Sequence, residues 1–265
     1  MSVWLLGYLV LGAVAGFFAG LLGVGGGAIM VPVLALMFAA QGFPTDHLMH
    51  LALGTSMAAI VFTSISSLRA HHQHGAVQWG IVKSITPGIL LGTFAGAQLA
   101  SLVATRQLAI FFTVFMSYVA FQMLANIKPK PSRQLPGALG MFLVGNGIGA
   151  ISALVAIGGG SLSVPFMTWC NVKMHHAIGT SAAIGLPIAV AGTLGYLVGG
   201  LGATHLPDGS FGYIYLPALA ACVAMSVLTA PLGAKAAHKL PVPILKKIFA
   251  GVILLLLAKM VHGLF

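Results

Sequence analysis

The sequence predicts an all-α fold: a polytopic transmembrane helix bundle of about 8–10 membrane segments, built as two inverted repeats with glycine-broken helices. Three observations carry this. Of 265 residues, 59% are hydrophobic and only 5% are charged, too few charges to cover the surface of a water-soluble chain of this length. Runs of about 20 apolar residues, each enough to cross roughly 30 Å of hydrocarbon, recur from end to end. Finally, the stretch Val24-Gly25-Gly26-Gly27-Ala28-Ile29-Met30-Val31-Pro32 returns in similar form as Ile157-Gly158-Gly159-Gly160-Ser161-Leu162-Ser163-Val164-Pro165. Hydrophobic segments broken at corresponding places in two halves are the sequence mark of a transport site.

Apolar segments of the first half run from 3 to 22, 28 to 40, 48 to 68, 80 to 103 and 107 to 127. The first has no basic leader region and no small-residue cleavage pattern, so it reads as a retained span. Between segments three and four lie Arg69 and the tract His71-His72-Gln73-His74, which reads as a solvated connection and not as a metal site. Residues 1–127 form the first transmembrane repeat and 128–136 a cytoplasmic linker, whose Lys128-Pro129-Lys130-Pro131 cannot continue a helix. Residues 137–265 form the second repeat, with segments from 137 to 157, 161 to 171, 177 to 200, 213 to 233 and 244 to 264. The halves align in order: His50, Gly54, Thr55 and Ser56 match His175, Gly179, Thr180 and Ser181, while Pro87 pairs with Pro217, Gly96 with Gly233, Phe112 with Phe249 and Met123 with Met260.

Charge placement sets orientation. If the chain reverses direction at each glycine triplet, ten of the twelve basic residues fall on one side and only Arg106 and Lys259 on the other; if each triplet merely kinks one span, the split is six against six. The positive-inside rule favours reversal, which turns the second half upside down relative to the first and puts both termini outside. Asp46 and Asp208, the two acids of the chain, then lie in outer loops, so no carboxylate stands within the spans. The net charge of +10 serves orientation, and nucleic acid is not an expected partner.

Three successive glycines inside hydrocarbon bare peptide groups that protein or a polar cavity must satisfy. Helices starting at Ala28 and Ser161 aim free N–H groups and positive dipole ends into such a cavity, which suits an anion. The candidate ligand-binding set is therefore Gly25, Gly26, Gly27, Gly158, Gly159 and Gly160, with hydroxyls from Thr55, Ser56, Thr180, Ser181 and Ser161 and the amide of Asn146. His50 and His175, related by the repeat, are the candidates for proton handling. The competing reading is that the triplets only permit close helix packing. No Gly-x-Ser-x-Gly elbow, phosphate loop or carboxylate pair is present, so the chain is not expected to be an enzyme or an ATP-driven pump. No cofactor or metal is expected, Cys170 and Cys222 read as small packing residues, and the oligomeric state stays open.

On Gly16-Phe17-Phe18-Ala19-Gly20-Leu21-Leu22-Gly23-Val24-Gly25-Gly26-Gly27, leading to Val31-Pro32 and Gly54-Thr55-Ser56, and on their return as Gly158 to Pro165 and Gly179-Thr180-Ser181, the sequence resembles the sulfite exporter TauE/SafE family over nearly its whole length. The resemblance implies a bacterial or archaeal inner-membrane transporter of small sulfur-containing anions such as sulfite, sulfoacetate or other organosulfonates, working by alternating access. A passive anion channel and a non-transporting membrane subunit are the alternatives. The second triplet departs from the pattern, with Val155-Ala156-Ile157 where the first has a glycine at Gly23.

Overall fold

The computed structural model describes residues 2–23, 25–125, 132–239 and 242–264. Val24, the linker residues 126–131 with Lys128 and Lys130, and the side chains of Lys239 and Lys246 lie outside the described residues. The first half forms α1 (Ser2–Leu22), α2 (Gly27–Ala40), α3 (Leu48–Gln73), α4 (Trp79–Ser101) and α5 (Thr105–Leu124). The second forms α6 (Ala138–Val155), α7 (Gly160–Trp169), α8 (Met174–Gly200), α9 (Leu216–Lys239) and α10 (Val242–Leu264). Among the described residues seven helices are long and apolar enough to cross a membrane. At about 1.5 Å per residue, the 14 residues of α2 and the 10 of α7 span roughly 21 and 15 Å, so neither crosses the hydrocarbon alone.

Both glycine triplets are reversals. Tyr8 of α1 stacks edge-on against Phe38 of α2 at 6.4 Å, and Gly26 lies beside the Ala15 carbonyl, so α2 folds back along α1. In the second half the Trp169 carbonyl, at the far end of α7, accepts from the N–H groups of Ser132 and Arg133 just before α6. Each half thus opens with a hairpin whose tip is the glycine break.

Glycines set how the halves interlock. Gly12, Gly16 and Gly20 of α1 abut Cys222, Ser226 and Ala230 of α9, while Gly88, Gly92 and Gly96 of α4 abut Phe142, Asn146 and Ala150 of α6. These are small-residue ladders at four-residue spacing, which let membrane helices approach to backbone contact. The first helix of each half therefore lies parallel to the fourth helix of the other. Between them α3 and α8 cross antiparallel, with Gly54 against Tyr196, Met57 against Gly192 and Ser64 against Gly185. Equivalent helices running in opposite directions are what an inverted repeat requires.

Two details depart from the sequence reading. Helix α3 continues through His71 and ends only where Gly75, at φ 65°, takes the left-handed turn that closes a helix; His71 is buried at 2% exposure and is no part of a solvated loop. The segment expected from 213 begins instead as a two-stranded ribbon, Ser210–Phe211 paired with Ile214–Tyr215, and α9 starts at Leu216 with Pro217 in its first turn. Pro87, by contrast, sits in mid-α4, so these two prolines are not in register.

The Gly-Thr-Ser motifs fasten the halves together. The Thr55 hydroxyl accepts a 2.9 Å bond from the N–H of Tyr215, at the start of α9, and the Thr180 hydroxyl accepts one of 2.9 Å from Gln78, at the start of α4. The preceding glycines make room, Gly54 against Tyr213 and Gly179 against Ala76. Both threonines are fully buried, so replacing either by valine strands an N–H away from water. Thr55→Val and Thr180→Val are each expected to lose about 1–3 kcal/mol, read as a lower unfolding temperature in detergent, with serine at either position restoring most of it. An unchanged melting curve in both valine variants would show the caps to be idle.

Candidate functional site

The two hairpin tips meet in the interior of the bundle. A Cβ on Gly25 would come within 2.8 Å of the Gly158 Cα, and one on Gly27 would overlap the carbonyl oxygen of Ala156. Gly25, Gly26 and Gly159 hold φ near +80°, a conformation that side chains of L-residues rarely tolerate. The breaks therefore do two jobs: they turn the chain back, and they let two backbones touch.

Helices α2 and α7 start from these tips, capped by Gly26 and Gly159 in the left-handed conformation. Among the described residues nothing accepts from the N–H groups of Gly158, Gly159, Gly160 or Ser161, while those of Leu162 and Ser163 turn back to the Gly159 carbonyl. Two positive helix ends consequently converge on one region without a charged side chain. Beside them lies a small cavity lined by Ala19, Gly23, Gly25, Thr63, Ser64, Ser67, Gly158, Ala182 and Gly185. Its volume of about 10 Å³ is the size that admits one water and is too small for a polyatomic anion.

Of the sequence-predicted residues, Gly25 and Gly158 line this cavity. Gly26, Gly27, Gly159 and Gly160 build the turns behind it, where close packing is part of their task. Ser161, the second residue of α7, is 8% exposed, and among the described residues its hydroxyl has no partner; the buried Ser56 hydroxyl is likewise unpaired. Ser181 bonds to Ser163 at 2.9 Å and to the Gly23 carbonyl at 3.4 Å, tying α8 to both hairpins. Thr55 and Thr180 are engaged in the caps described above. Asn146 faces α4 through its backbone and is not among the cavity residues.

The histidine pair is divided between the two ends of the bundle. His50 is buried, its Nε2 lying 3.1 Å from the carbonyls of both Ala100 and Val103 and its ring 4.9 Å from that of Tyr213, so it locks the α4–α5 corner. His175 is exposed and stacks on His176 at 4.0 Å.

Sequence reasoning missed Thr63, Ser64 and Ser67, which supply the cavity's side-chain hydroxyls. Ser67 is 4% exposed and its hydroxyl is unpaired among the described residues, whereas Thr63 bridges the Ala59 carbonyl and the Ser226 hydroxyl, each at 3.0 Å. The signal was available: Ser56, Thr63, Ser64, Ser67 and His71 recur at helical spacing along one face of α3. In the second repeat Ile188, Ala189 and Gly192 occupy the places of Thr63, Ser64 and Ser67, counted from the Gly-Thr-Ser motifs.

Comparison with known proteins agrees with this architecture. The family model described as sulfite exporter TauE/SafE matches residues 8–260. A probable membrane transporter protein of Haemophilus influenzae is 38% identical, covering 94% of this chain and 95% of its own. The probable membrane transporter proteins YdhB of Bacillus subtilis and MJ0441 of Methanocaldococcus jannaschii are 27% and 24% identical, over 70% and 88% of this chain and 76% and 86% of theirs. No solved structure matches the chain.

The contact between the two tips is testable by a pair of glycine substitutions. Gly27→Ala forces a methyl into the Ala156 carbonyl and is expected to lower stability by about 1–3 kcal/mol or more. Gly147→Ala, in a helix position with open space beside it, is expected to leave stability equal or raised by up to about 1 kcal/mol. Equal melting temperatures for the two variants in detergent would contradict the back-to-back arrangement.

Proposed function

Because the chain belongs to the sulfite exporter TauE/SafE family, we propose that this membrane transporter moves small sulfur-containing anions, sulfite or organosulfonates, by alternating access. The observation that carries the reading is the convergence of two half-helix N-termini on a cavity holding an unpaired buried hydroxyl. The N–H of Gly158 and the hydroxyl of Ser67, both at the cavity wall, offer donors to the oxygens of a tetrahedral or pyramidal oxyanion, and the N–H groups of Gly159 to Ser161 and the Ser161 hydroxyl would join them as the tips part. A neutral donor set of this kind binds an anion without burying a fixed counter-charge, whose desolvation would be costly in the empty site.

Transport then requires the tips to separate, since the present void is too small for the cargo. The α1–α2 and α6–α7 hairpins are the moving parts in this reading, rocking alternately to open the cavity to one end of the bundle and then to the other. Substrate contacts made at the tips travel with those hairpins, so bound anion and conformational change are coupled by the same peptide groups.

Orientation follows from charge. Arg69, Lys83, Arg133, Lys173, Lys235 and Lys247 gather at one end of the bundle, and Arg106, Lys259, Asp46 and Asp208 at the other. By the positive-inside rule the basic end faces the cytoplasm and both termini face outward. Cysteines placed at His74 and Asp208 in a cysteine-free background should separate the two ends: in intact cells an impermeant thiol reagent should reach position 208 and not 74. The reverse pattern, or labelling of both, would overturn this orientation.

Purified chain in proteoliposomes is expected to take up sulfite or a sulfonate such as sulfoacetate or taurine in preference to sulfate and to carboxylate controls. Ser67→Ala is expected to raise the half-saturating concentration about tenfold, the effect of losing one hydrogen bond to a charged ligand. Accumulation above equilibrium under an imposed gradient distinguishes a coupled carrier from a passive channel. Absence of flux for every sulfur anion in the panel would overturn the substrate class.

A further inference from the structure

His71 and Tyr196 stand at equivalent places in the two repeats, each sixteen residues beyond the threonine of its Gly-Thr-Ser motif. Both are buried, at 2% and 0% exposure. They also make equivalent bonds: Nε2 of His71 lies 3.3 Å from the Gly20 carbonyl, and the Tyr196 hydroxyl donates to the Ala153 carbonyl at 2.9 Å. Gly20 and Ala153 each precede by seven residues the first residue of the following half-helix, Gly27 or Gly160. A carbonyl only accepts, so the imidazole bonds as the Nε2–H form. The repeat has thus kept one interaction while changing the side chain that makes it.

Their positions relative to the cavity give the pair a direction. Along α3, the face that lines the cavity through Ser64 and Ser67 reaches His71 one turn further toward the basic end of the bundle. Along α8, the face leaving Gly185 toward the opposite end passes Ile188, Ala189 and Gly192 before Tyr196; Ile188 abuts Gly159, and Met57 fills the space at Gly192. Each latch joins a central helix to the first arm of one hairpin, His71 to α1 and Tyr196 to α6.

We propose that His71 and Tyr196 are the paired gate residues of the transport path, His71 closing the cavity toward the basic end and Tyr196 toward the opposite end. The proposal rests on the transport reading above and adds where the two closures lie. Swinging the α1–α2 hairpin away from α3 breaks the His71–Gly20 bond and opens the polar face of Ser64 and Ser67. Swinging the α6–α7 hairpin away from α8 breaks the Tyr196–Ala153 bond and opens the apolar side. Both bonds are made in this structure.

The test is access to the cavity. A single cysteine at Ala182, a cavity-lining position, is introduced after Cys170 and Cys222 are replaced by alanine, and vesicles of sorted orientation receive an impermeant methanethiosulfonate from one face at a time. His71→Ala is expected to speed labelling about tenfold from the basic face alone, and Tyr196→Phe, which keeps the ring and loses the donor, about tenfold from the opposite face alone. His71→Gln, which retains an N–H donor, is expected to restore slow labelling. Unchanged rates in both variants, acceleration from the wrong face, or equal acceleration from both faces would overturn the gates. Labelling requires no substrate: one-sided acceleration without flux of any tested anion would refute the transport reading alone, and flux without one-sided acceleration would refute the gates alone.

Discussion

One constraint organises this molecule: a peptide group within a bilayer must find a partner inside the protein or line a polar cavity. Two helices that start inside the bundle, α2 and α7, each leave a set of N–H donors without helical acceptors. Were the breaks apart, each would face lipid or apolar side chains at a cost of several kcal/mol per group. Placed tip to tip, with Gly25 against Gly158 and Gly27 against Ala156, they share one polar interior. Their missing side chains make the contact possible, and everything else in the bundle serves to hold the two tips there.

That same constraint explains which parts of the fold were legible in the sequence. The helical bundle and the reversal at the triplets follow from hydropathy and charge, because membrane insertion depends strongly on those quantities. The Gly-Thr-Ser motifs were legible as important, but their part in joining the halves was not. A threonine after a glycine near the start of a span offers the same hydroxyl to a ligand or to a neighbouring helix end, and only the fold reveals that Tyr215 and Gln78 lie within 2.9 Å. His71 was read from its neighbours as part of a polar loop, whereas Gly75 sets the helix end and leaves His71 inside. Ser64 and Ser67 went unnoticed because a repeat-guided search favours what is duplicated, and their counterparts Ala189 and Gly192 are not hydroxylated.

This asymmetry distinguishes the two ends of the inverted repeat. A strictly symmetric pair would make the outward and inward states mirror each other in energy and in affinity. Here the hydroxyls stand on α3 alone, and the corresponding stretch of α8 is aliphatic. The hydroxyl-bearing face of α3 runs toward the end rich in basic residues, where the potential would favour an anion of the proposed kind. On the other side the barrier is packing, with Met57 and Ile188 filling glycine gaps.

The manner of interlocking restricts which motions remain. Helix α1 rests on α9 through three glycines, and α6 on α4 through another ladder, so the first arm of each hairpin is seated on the other half while its second arm packs on its own half. Backbone-to-backbone contacts of that kind resist sliding, because any shift in register drives side chains into the space that glycine leaves. In the proposed transport cycle the tips would separate by pivoting of whole blocks, each a hairpin with its foreign fourth helix, about the antiparallel α3–α8 pair. Such a pivot would change the packing of α1, α2 and α9 on α3 and of α4, α6 and α7 on α8. The His71–Gly20 and Tyr196–Ala153 bonds sit in two of those seams, α1 on α3 and α6 on α8.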